Sequence, residues 1–573
     1  MTRPWTLLLV GIAGCSFSSS EMAMVIDNSC VDDTGCQQGV CSDRICIDDS
    51  GASVEVAIEV LRSSSDVWGL TPASWAFGAE QASSPTTRDL QLPATRQVRG
   101  TVRWNDLRIP ATLRFVRRMA DSVQSLTPVA VEAQTLREEA GADELTRFDF
   151  SAILVAQETY DVVVLPSTDM VMAATGEASA PALRSLPPLY LELVIDDGDP
   201  GEPFRFDIEF PSDLASPCTT SEDTGCTLEA EVLSVDGLTE LPEAGLQVRA
   251  IEMETGRIVS SIGETDETGR VSIRISDTAA DYWIRITSSV GRAPFPAVSV
   301  DPDVVFDSQS ETRFIYIPRL PPVRYTGTVR DANDAAVPGA TLRFLSTGIF
   351  GGSQLGLEGS FSGSATTNED GTFSVELLPG YYSISVTPPA DVENNWGVLT
   401  TEALLVGEQL TAAEAFIVPP QIGLQGLVTT FRDEAASGVT IVARARSHAD
   451  SIAMHRSQEV VSNSIGAFAM TVDEGIYDLQ VRVPSETGFA WLIEPNLAMS
   501  GDRGDLSRSY RLVPPIPVRG FLRASDGSPA AGALIRGYLS IDDGGGSRRI
   551  QIAETTSRED GSYELLIAPG LGE

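Results

Sequence analysis

Between Tyr325 and Val386 the chain reads YTGTVRDANDAAVPGATLRFLSTGIFGGSQLGLEGSFSGSATTNEDGTFSVELLPGYYSISV. Its short runs alternate apolar and polar residues, and Gly, Pro, Asn or Asp bound each run. This alternation is typical of half-buried strands joined by tight turns. The stretch therefore predicts a small antiparallel β-sandwich.

The same pattern recurs along the chain. Gly327 opens this copy, Gly426 and Gly520 open two more at intervals of about a hundred residues, and Ala230 and Gly100 stand at the same point in two divergent copies. Each copy is long enough to enclose its own core, so we expect a tandem array of separate sandwiches. Prolines at the ends of the linking strands predict a stiff, extended rod. We divide the chain into a partial β repeat (51–96), repeat 1 (97–217), repeat 2 (218–318), repeat 3 (319–419), repeat 4 (420–515) and repeat 5 (516–573).

These motifs resemble the carboxypeptidase regulatory-like domain, a transthyretin-like sandwich. The shared features are a G-x-V strand, a T-x-x-D-G-x-F hairpin and an L-P-G-x-Y final strand, seen here at Gly327, Thr367–Phe373 and Leu378–Tyr382. The resemblance implies an all-β fold of tandem antiparallel sandwiches, of transthyretin or immunoglobulin type, after a small disulfide-rich N-terminal segment. It implies no chemistry.

The N-terminal segment has the features of a targeting signal. Residues 1–14 combine Arg3 with an apolar run that is too short to span a bilayer. The sequence from Ile12 to Cys15 resembles the lipobox of bacterial lipoprotein precursors, which implies that Cys15 is acylated and anchors the chain to a membrane without crossing it. Ser16 favours the outer membrane. The alternative is an ordinary secretory signal with a chance cysteine.

The other six cysteines form two local clusters, which predict disulfides. The first cluster, Cys30 to Cys46 within the segment 15–50, resembles the small cysteine-rich knots of myxobacterial lipoproteins. Its disulfide pairing cannot be deduced, and a zinc site is the competing interpretation. An exported chain meets an oxidising compartment, which favours disulfides. The last two cysteines would clip the linker before repeat 2. The six are Cys30, Cys36, Cys41, Cys46, Cys218 and Cys226.

Composition excludes several classes of protein. The chain has 573 residues, a formal charge of −40 and no lysine, so a P-loop, a kinase or a Schiff-base enzyme cannot be built. The acidic balance also disfavours nucleic acid and nucleotides as partners. His448 and His455 match no metal or catalytic motif, and no nucleophile elbow is present. We therefore expect no enzymatic activity.

Two weak binding signals remain. Asp196, Asp197 and Asp199 gather oxygen ligands that could hold Ca²⁺, with an acidic turn as the plain alternative and no other cofactor expected. Trp396 and Trp491 follow the last strand of successive repeats, as does Trp68. They could stack on sugars or pack the joints between sandwiches.

The two ends of the array look incomplete. In repeats 3 and 4, a tyrosine of the final strand follows the hairpin glycine by eleven residues, Tyr382 after Gly371 and Tyr477 after Gly466. The same count from Gly561 reaches Gly572, one residue before the sequence ends. Repeat 5 therefore lacks a final strand, while residues 54–60 have the alternation of one. We expect either completion in trans, by a partner or by 54–60 of a second copy, or a frayed last repeat.

Together these patterns predict a non-enzymatic lipoprotein, anchored to the outer membrane on its periplasmic or surface face, that acts as a binding or spacer array. Envelope proteins or polysaccharides are the partners that fit such a protein. The alternative function is a carbohydrate-binding accessory protein or a subunit of a polysaccharide-acting system.

Overall fold

The chain is almost entirely β-structure in a computed structural model. The structure describes residues 28–569 with gaps, of which the longest are 62–73, 119–129, 139–146, 167–185 and 350–357. The predicted all-β array of sandwiches is confirmed, and most strands pair antiparallel. Within the described residues, no helix has the length and apolar character needed to span a bilayer. The signal segment and Cys15 lie outside them.

The cysteine-rich segment folds as a small knot, defined here as residues 28–48. Strands β1 (Val40–Ser42) and β2 (Ile45–Ile47) form a hairpin. Disulfides join Cys30 to Cys41 and Cys36 to Cys46, which confirms the predicted bridges and settles their pairing. The sulfurs of three of these cysteines cluster, but all of them are in disulfides, so no thiolate there is left to bind zinc.

The knot covers one end of repeat 4. The side chain of Asn28 is fully buried and donates hydrogen bonds to the carbonyls of Cys46 and Gly488, both at 2.8 Å. Arg432 donates to the carbonyl of Ser29. Because disulfide sulfurs join the core cluster of repeat 4, the knot is part of that sandwich's packing.

Four strands follow the knot: β3 (Ser53–Leu61), β4 (Ser74–Ser83), β5 (Thr86–Thr87) and β6 (Leu90–Gln91). Repeat 1 comprises β7 (Thr95–Trp104), β8 (Leu107–Arg108), β9 (Ala111–Arg117), β10 (Ala130–Gln134), β11 (Leu136–Glu138), β12 (Arg147–Val155), β13 (Thr159–Pro166), β14 (Leu189–Val194), β15 (Phe204–Arg205) and β16 (Ile208–Phe210). Its two sheets, ordered β10-β9-β13-β14 and β11-β12-β7-β15, enclose one core.

Repeat 2 is closed at its start by the disulfide Cys218–Cys226. It comprises β17 (Thr227–Asp236), β18 (Thr239–Pro242), β19 (Leu246–Glu252), β20 (Gly263–Glu264), β21 (Arg270–Arg274), β22 (Tyr282–Ser288), β23 (Ala297–Val300), α1 (Pro302–Phe306) and β24 (Arg313–Pro318).

Repeats 3 and 4 show the plan of the sandwich most clearly. Repeat 3 comprises β25 (Val323–Arg330), β26 (Thr341–Ile349), β27 (Glu358–Ser360), β28 (Ser362–Thr366), β29 (Thr372–Leu377), β30 (Gly380–Thr387), β31 (Leu399–Val406) and β32 (Glu414–Ile417). Repeat 4 comprises β33 (Ile422–Thr430), β34 (Thr440–Ala445), β35 (Gln458–Val461), β36 (Ala467–Val472), β37 (Gly475–Arg482), β38 (Leu492–Met499) and β39 (Leu506–Leu512), with 3-10 turns at Ser485–Thr487 and Gly501–Arg503.

In both repeats a four-stranded sheet packs on a three-stranded one. The four-stranded sheets are ordered β28-β26-β30-β31 and β35-β34-β37-β38, and the three-stranded ones β29-β25-β32 and β36-β33-β39. The last strand of each repeat lies parallel to the first, because the linking segment returns along the opening strand.

Repeat 5 has four strands of its own: β40 (Ile516–Arg523), β41 (Leu534–Asp542), β42 (Ser547–Thr556) and β43 (Ser562–Ile567). Strand β3 of the same chain pairs antiparallel with β41, from Ala57 opposite Tyr538 to Leu61 opposite Leu534. The resulting sheet is β4-β3-β41-β42, so β3 occupies the place that β30 and β37 occupy in repeats 3 and 4. Strands β5 and β6 lie parallel to β40, as β32 lies along β25.

Residues 53–92 and 516–568 are therefore one domain, which we call the closing sandwich. Val54, Val56, Ile58 and Val60 share one core with Ile535 and the other buried residues of repeat 5. Our two expectations for the array's ends, completion in trans and a frayed last repeat, are both wrong, because the same chain supplies the strand. The strand that repeat 5 lacks is supplied by β3, which contains the residues 54–60 that the sequence pattern singles out.

Polar contacts fix the register between the two halves. Tyr538 donates a hydrogen bond of 2.8 Å to Glu59, across 479 residues of sequence. Burial, together with that carboxylate, raises the pKa of Tyr538 to about 12. The Tyr563 hydroxyl donates to the carbonyl of Arg88, and the backbone N–H of Phe521 donates to Asp89.

The closing sandwich turns the array into a closed circuit, so the expected extended rod is also wrong. Repeats 1 and 2 meet where Tyr190 donates to the carbonyl of Ile258. Repeats 2 and 3 share a sheet, because β27 pairs with β23. Repeat 4 contacts the closing sandwich through Arg548 and Asp478, and the chain then passes directly from β6 into repeat 1.

The opening glycine of the repeats has a steric cause. A Cβ at Gly100, Gly426 or Gly520 would overlap a backbone carbonyl oxygen of the parallel segment beside it, that of Phe206, Arg508 or Arg88 respectively. No flexible side chain can yield there, so the strands would have to separate. In these three sandwiches, glycine thus marks the place where the returning segment runs closest to the opening strand, whereas repeat 2 has Ala230 at that position.

We predict that Gly520→Ala loosens the closing sandwich specifically. The added methyl group would push residues 86–91 away from β40, at a cost of roughly 1–3 kcal/mol. Limited proteolysis should then cut within 53–92 earlier than in the wild type. Gly407→Ala is the matched control, because a Cβ there meets nothing within 4 Å. Equal protease resistance of the two variants would contradict the steric account.

Candidate functional site

The joints on either side of repeat 4 contain the two tryptophans that the sequence singles out, Trp396 and Trp491. In each joint, the segment that links β30 to β31 or β37 to β38 faces the neighbouring sandwich, so the tryptophans precede the last strands of their repeats and do not follow them as the sequence pattern suggested. Trp396 precedes β31 and Trp491 precedes β38, so the two tryptophans occupy equivalent positions. Their surroundings nevertheless differ.

At the joint between repeats 3 and 4, Asp473 is fully buried and paired with Arg456. The guanidinium donates to both carboxylate oxygens, with Nε at 3.0 Å and Nη2 at 2.5 Å. Its Nη2 also donates to the carbonyl of Trp396, which belongs to repeat 3. Asp473 further accepts hydrogen bonds from the backbone N–H of Val398 and from Gln421. One buried ion pair thus ties two sandwiches together.

The protonation of Asp473 follows from these contacts. Burial alone would raise the pKa of the carboxyl group, but the hydrogen bonds and charge of Arg456, with help from Gln421, outweigh it. The pKa of Asp473 therefore lies below its ordinary value. The ion pair is intact at neutral pH.

Trp396 packs in this joint and is not an open platform. Only 9% of the residue is exposed, and it belongs to the core cluster of repeat 3. Its Nε1 donates to Asp331 at 3.5 Å. Of the two roles that the sequence leaves open for this residue, joint packing fits the geometry and stacking on a ligand does not.

Trp491 lies in a different setting, at the joint between repeat 4 and the closing sandwich. It is half-buried and lines a cleft of about 360 Å³. Its Nε1 donates to the carbonyl of Val483, and the guanidinium of Arg482 lies 5.0 Å from the ring centre. The cleft also contains Glu486, Glu554, Arg558 and Glu564.

The other sequence-predicted residues are not brought into one site. Asp196 forms an ion pair with Arg96, so that carboxylate already has a cationic partner. Asp197 and Asp199 lie outside the described residues, and the Ca²⁺ site stays a prediction. His448 and Trp68 also lie outside them, and His455 rests against the backbone of Gly475. Within the described residues, the cluster of three or more potential metal-ligand atoms is that of the knot cysteines, which are all in disulfides.

Sequence reasoning missed the ion pair of Arg456 and Asp473, although a signal exists. Asp473 occupies the position at which repeat 3 has Leu378, two residues before the glycine of the Gly-x-Tyr that begins β30 and β37. A charge where the repeated pattern places an apolar residue indicates a buried partner. The partner itself, in the loop before β35, has no sequence signal that we recognise.

Comparisons with known proteins give structural neighbours but no family. No family model matches the chain, and no curated protein matches it. A streptococcal ancillary pilin aligns over 50% of this chain and 99% of its own, at 11% identity and a TM-score of 0.21. A minor pilin of Streptococcus agalactiae covers 33% and 95%, at 13% identity and a TM-score of 0.21. The pilus adhesin SpaC of Lactobacillus rhamnosus GG covers 80% and 56%, at 9% identity and a TM-score of 0.19. At these values the likeness carries no argument about function.

We predict that Asp473→Asn lowers the free energy of unfolding by about 3 kcal/mol, because it leaves the mostly buried guanidinium of Arg456 without its counter-charge. The control is Asp433→Asn in the exposed pair with Arg511, which should cost less than about 1 kcal/mol. Chemical denaturation of both variants measures the difference.

The pH dependence has a defined sign. Because the folded-state pKa of Asp473 is depressed, its contribution is present above the unfolded carboxyl pKa of about 4 and is lost as the pH falls below it. The difference in the free energy of unfolding between the wild type and Asp473→Asn should therefore shrink as the pH is lowered. A constant difference down to pH 2 would show that the charge of Asp473 does not stabilise the joint.

Proposed function

We propose that the chain is a non-enzymatic lipoprotein that displays a closed circuit of β-sandwiches as a binding scaffold at the bacterial envelope. The observation that carries this proposal is the closing sandwich: residues 53–92, which follow the anchor region, are built into the far end of the array. Three disulfides support an oxidising, exported location. The proposed anchor is Cys15, on the outer membrane.

The anchor would hold a particular part of the circuit near the membrane. Residues 16–27 separate Cys15 from the knot, and an extended chain of that length spans at most about 45 Å. Asn28 is already fixed to repeat 4, and the N–H of Asp48 donates to the carbonyl of Pro515 next to the closing sandwich. Repeat 4 and the closing sandwich would therefore stay close to the bilayer, with the other repeats held through their joints.

The anchor can be tested directly. Intact-mass analysis of protein purified from membranes should show acyl chains on Cys15 as the first residue of the mature chain. Cys15→Ala should leave the protein unprocessed or released into the soluble fraction. An unmodified N-terminus at another residue would exclude the lipoprotein assignment while leaving the circuit of sandwiches unaffected.

Saccharide binding is a second candidate function, favoured by the setting of Trp491. A partly exposed indole held at its Nε1 can stack on a sugar ring, and Glu486 and Glu554 can accept hydrogen bonds from hydroxyl groups. The acidic lining disfavours anionic polysaccharides and points to neutral ones.

Calorimetric titration with neutral hexasaccharides, cellohexaose and maltohexaose, tests this second function. Binding should be lost in Trp491→Ala and kept in Trp283→Ala, which changes a half-buried tryptophan on β22 of repeat 2. Absence of binding by either sugar, or equal loss in both variants, would exclude the Trp491 cleft as a saccharide site.

A further inference from the structure

The outer face of the three-stranded sheet in repeat 4 differs from that of its sister repeats. In repeat 3, Arg324 donates across the face to Ser374 at 2.9 Å, and in the closing sandwich Arg519 and Glu564 form an ion pair at 2.6 Å. Repeat 2 places Arg270 opposite Glu231. In repeat 4 all three outward cross-strand pairs are uncharged: Gly423 with Thr471, Gln425 with Ala469, and Leu427 with Ala467. Repeat 3 has one charged pair among the equivalent three, Arg324 with Glu376.

The missing cover leaves a groove. Two adjoining cavities of about 510 and 520 Å³ run along this face and share Gln425 and Ala469. Small residues on two strands form its floor: Ala467, Ala469, Ser507 and Ser509. At one end, the carboxylate of Asp505 lies over Gly423 and accepts a hydrogen bond from its N–H. Its length and shallow floor suit an extended chain better than a compact molecule.

Two strand edges border the groove. Within the described residues, β36 is the last strand of its sheet and β35 is the last strand of the opposite sheet. Residues of both strands line the cavities. An edge strand presents alternate N–H and C=O groups that a further strand can pair with. The floor of the groove and the open edge of β36 therefore lie side by side.

The chain already uses this mode of association once. Strand β27 of repeat 3 adds to the edge strand β23 of repeat 2, with Ala297 opposite Ser360 and Ser299 opposite Glu358. An edge of one sandwich thus accepts a short extended segment from outside that sandwich.

The side chains around the groove select the chemistry of an added strand. Leu427 is 39% exposed and Val461 is 55% exposed, so apolar side chains on the incoming segment would gain burial there. The two arginines of the lining are ion-paired, Arg456 with Asp473 and Arg508 with Glu494. Glu459 and Asp505 add negative charge, which favours basic side chains on the segment.

We propose that this groove binds an extended peptide segment with alternating apolar and basic side chains, which adds as a strand to β36. This deepens the proposed scaffold function by naming a class of partner, and it does not depend on the lipid anchor. A soluble full chain is sufficient to test it, so the proposal and the acylation of Cys15 can fail separately.

The probe is a dye-labelled eight-residue peptide of alternating valine and lysine, followed by fluorescence anisotropy on the full chain. Saturable binding should be at least tenfold tighter than for the valine–glutamate counterpart. Ala469→Arg, which fills the floor, should weaken binding at least tenfold. The matched control is Ser374→Arg at the equivalent position of repeat 3; it adds the same charge and should leave binding unchanged.

Both variants are first compared with the wild type by thermal unfolding, so that a folding defect is not read as lost binding. Hydrogen exchange then provides an independent measurement, since backbone N–H groups within 467–472 should become protected when the peptide binds. The proposal is overturned by absence of saturable binding, by equal loss in the two arginine variants, or by binding without that protection. Cellohexaose binding that is lost in Ala469→Arg, with no peptide binding, would instead identify a saccharide groove.

Discussion

The pairing of β3 with β41 is the contact on which the arrangement of the whole chain depends. Four apolar residues of β3, Val54, Val56, Ile58 and Val60, are buried in the core of the closing sandwich. Burial of such side chains contributes about 1.5–3 kcal/mol each, a sum comparable to the net stability of an ordinary domain. Without this strand, repeat 5 would expose part of its core, and the other repeats would lose the connection that joins their two ends.

The joints extend this constraint around the circuit by different means. Repeats 2 and 3 share a sheet, repeats 3 and 4 share a buried ion pair, and repeat 4 shares part of its core with the disulfide knot. A buried ion pair adds less net stability than apolar packing of equal volume, but it tolerates few alternative geometries. Arg456 and Asp473 therefore fix the orientation of two sandwiches as well as their contact.

The sequence predicted local structure well because local structure depends on nearby residues. Alternation and turn residues identify the strands, and the recurring glycine identifies the opening strand of most repeats, since the returning backbone leaves no room for a Cβ at Gly426. The phase of the repeats even singled out residues 54–60 as a final strand. Closure within one chain could not be predicted, because it depends on the directions in which successive joints turn the array, and no local pattern encodes them.

The candidate sites were predictable only in part, for the same reason. Trp396 and Trp491 occupy equivalent places in the sequence pattern, yet one is buried and the other lines a cleft. The difference arises from the neighbouring sandwich in each case. Likewise, the small residues of β33 and β36 show no unusual pattern in the sequence. Their significance becomes apparent only when their sheet is compared, position by position, with the charged faces of other repeats.

The closing sandwich also imposes an order on biogenesis. Glu59 is made early, and its partner Tyr538 follows 479 residues later. At ribosomal rates of about 5–20 residues per second, that interval lasts roughly 25 to 95 s. During this time β3 can pair with β4, but it lacks the strands of repeat 5 against which its apolar face packs, whereas repeats 1 to 4 can each fold as they emerge. Export factors or holdase chaperones that recognise exposed β-segments would therefore bind residues 53–92 for longer than any other part of the array. Release of that segment from such a chaperone would indicate that repeat 5 has been made.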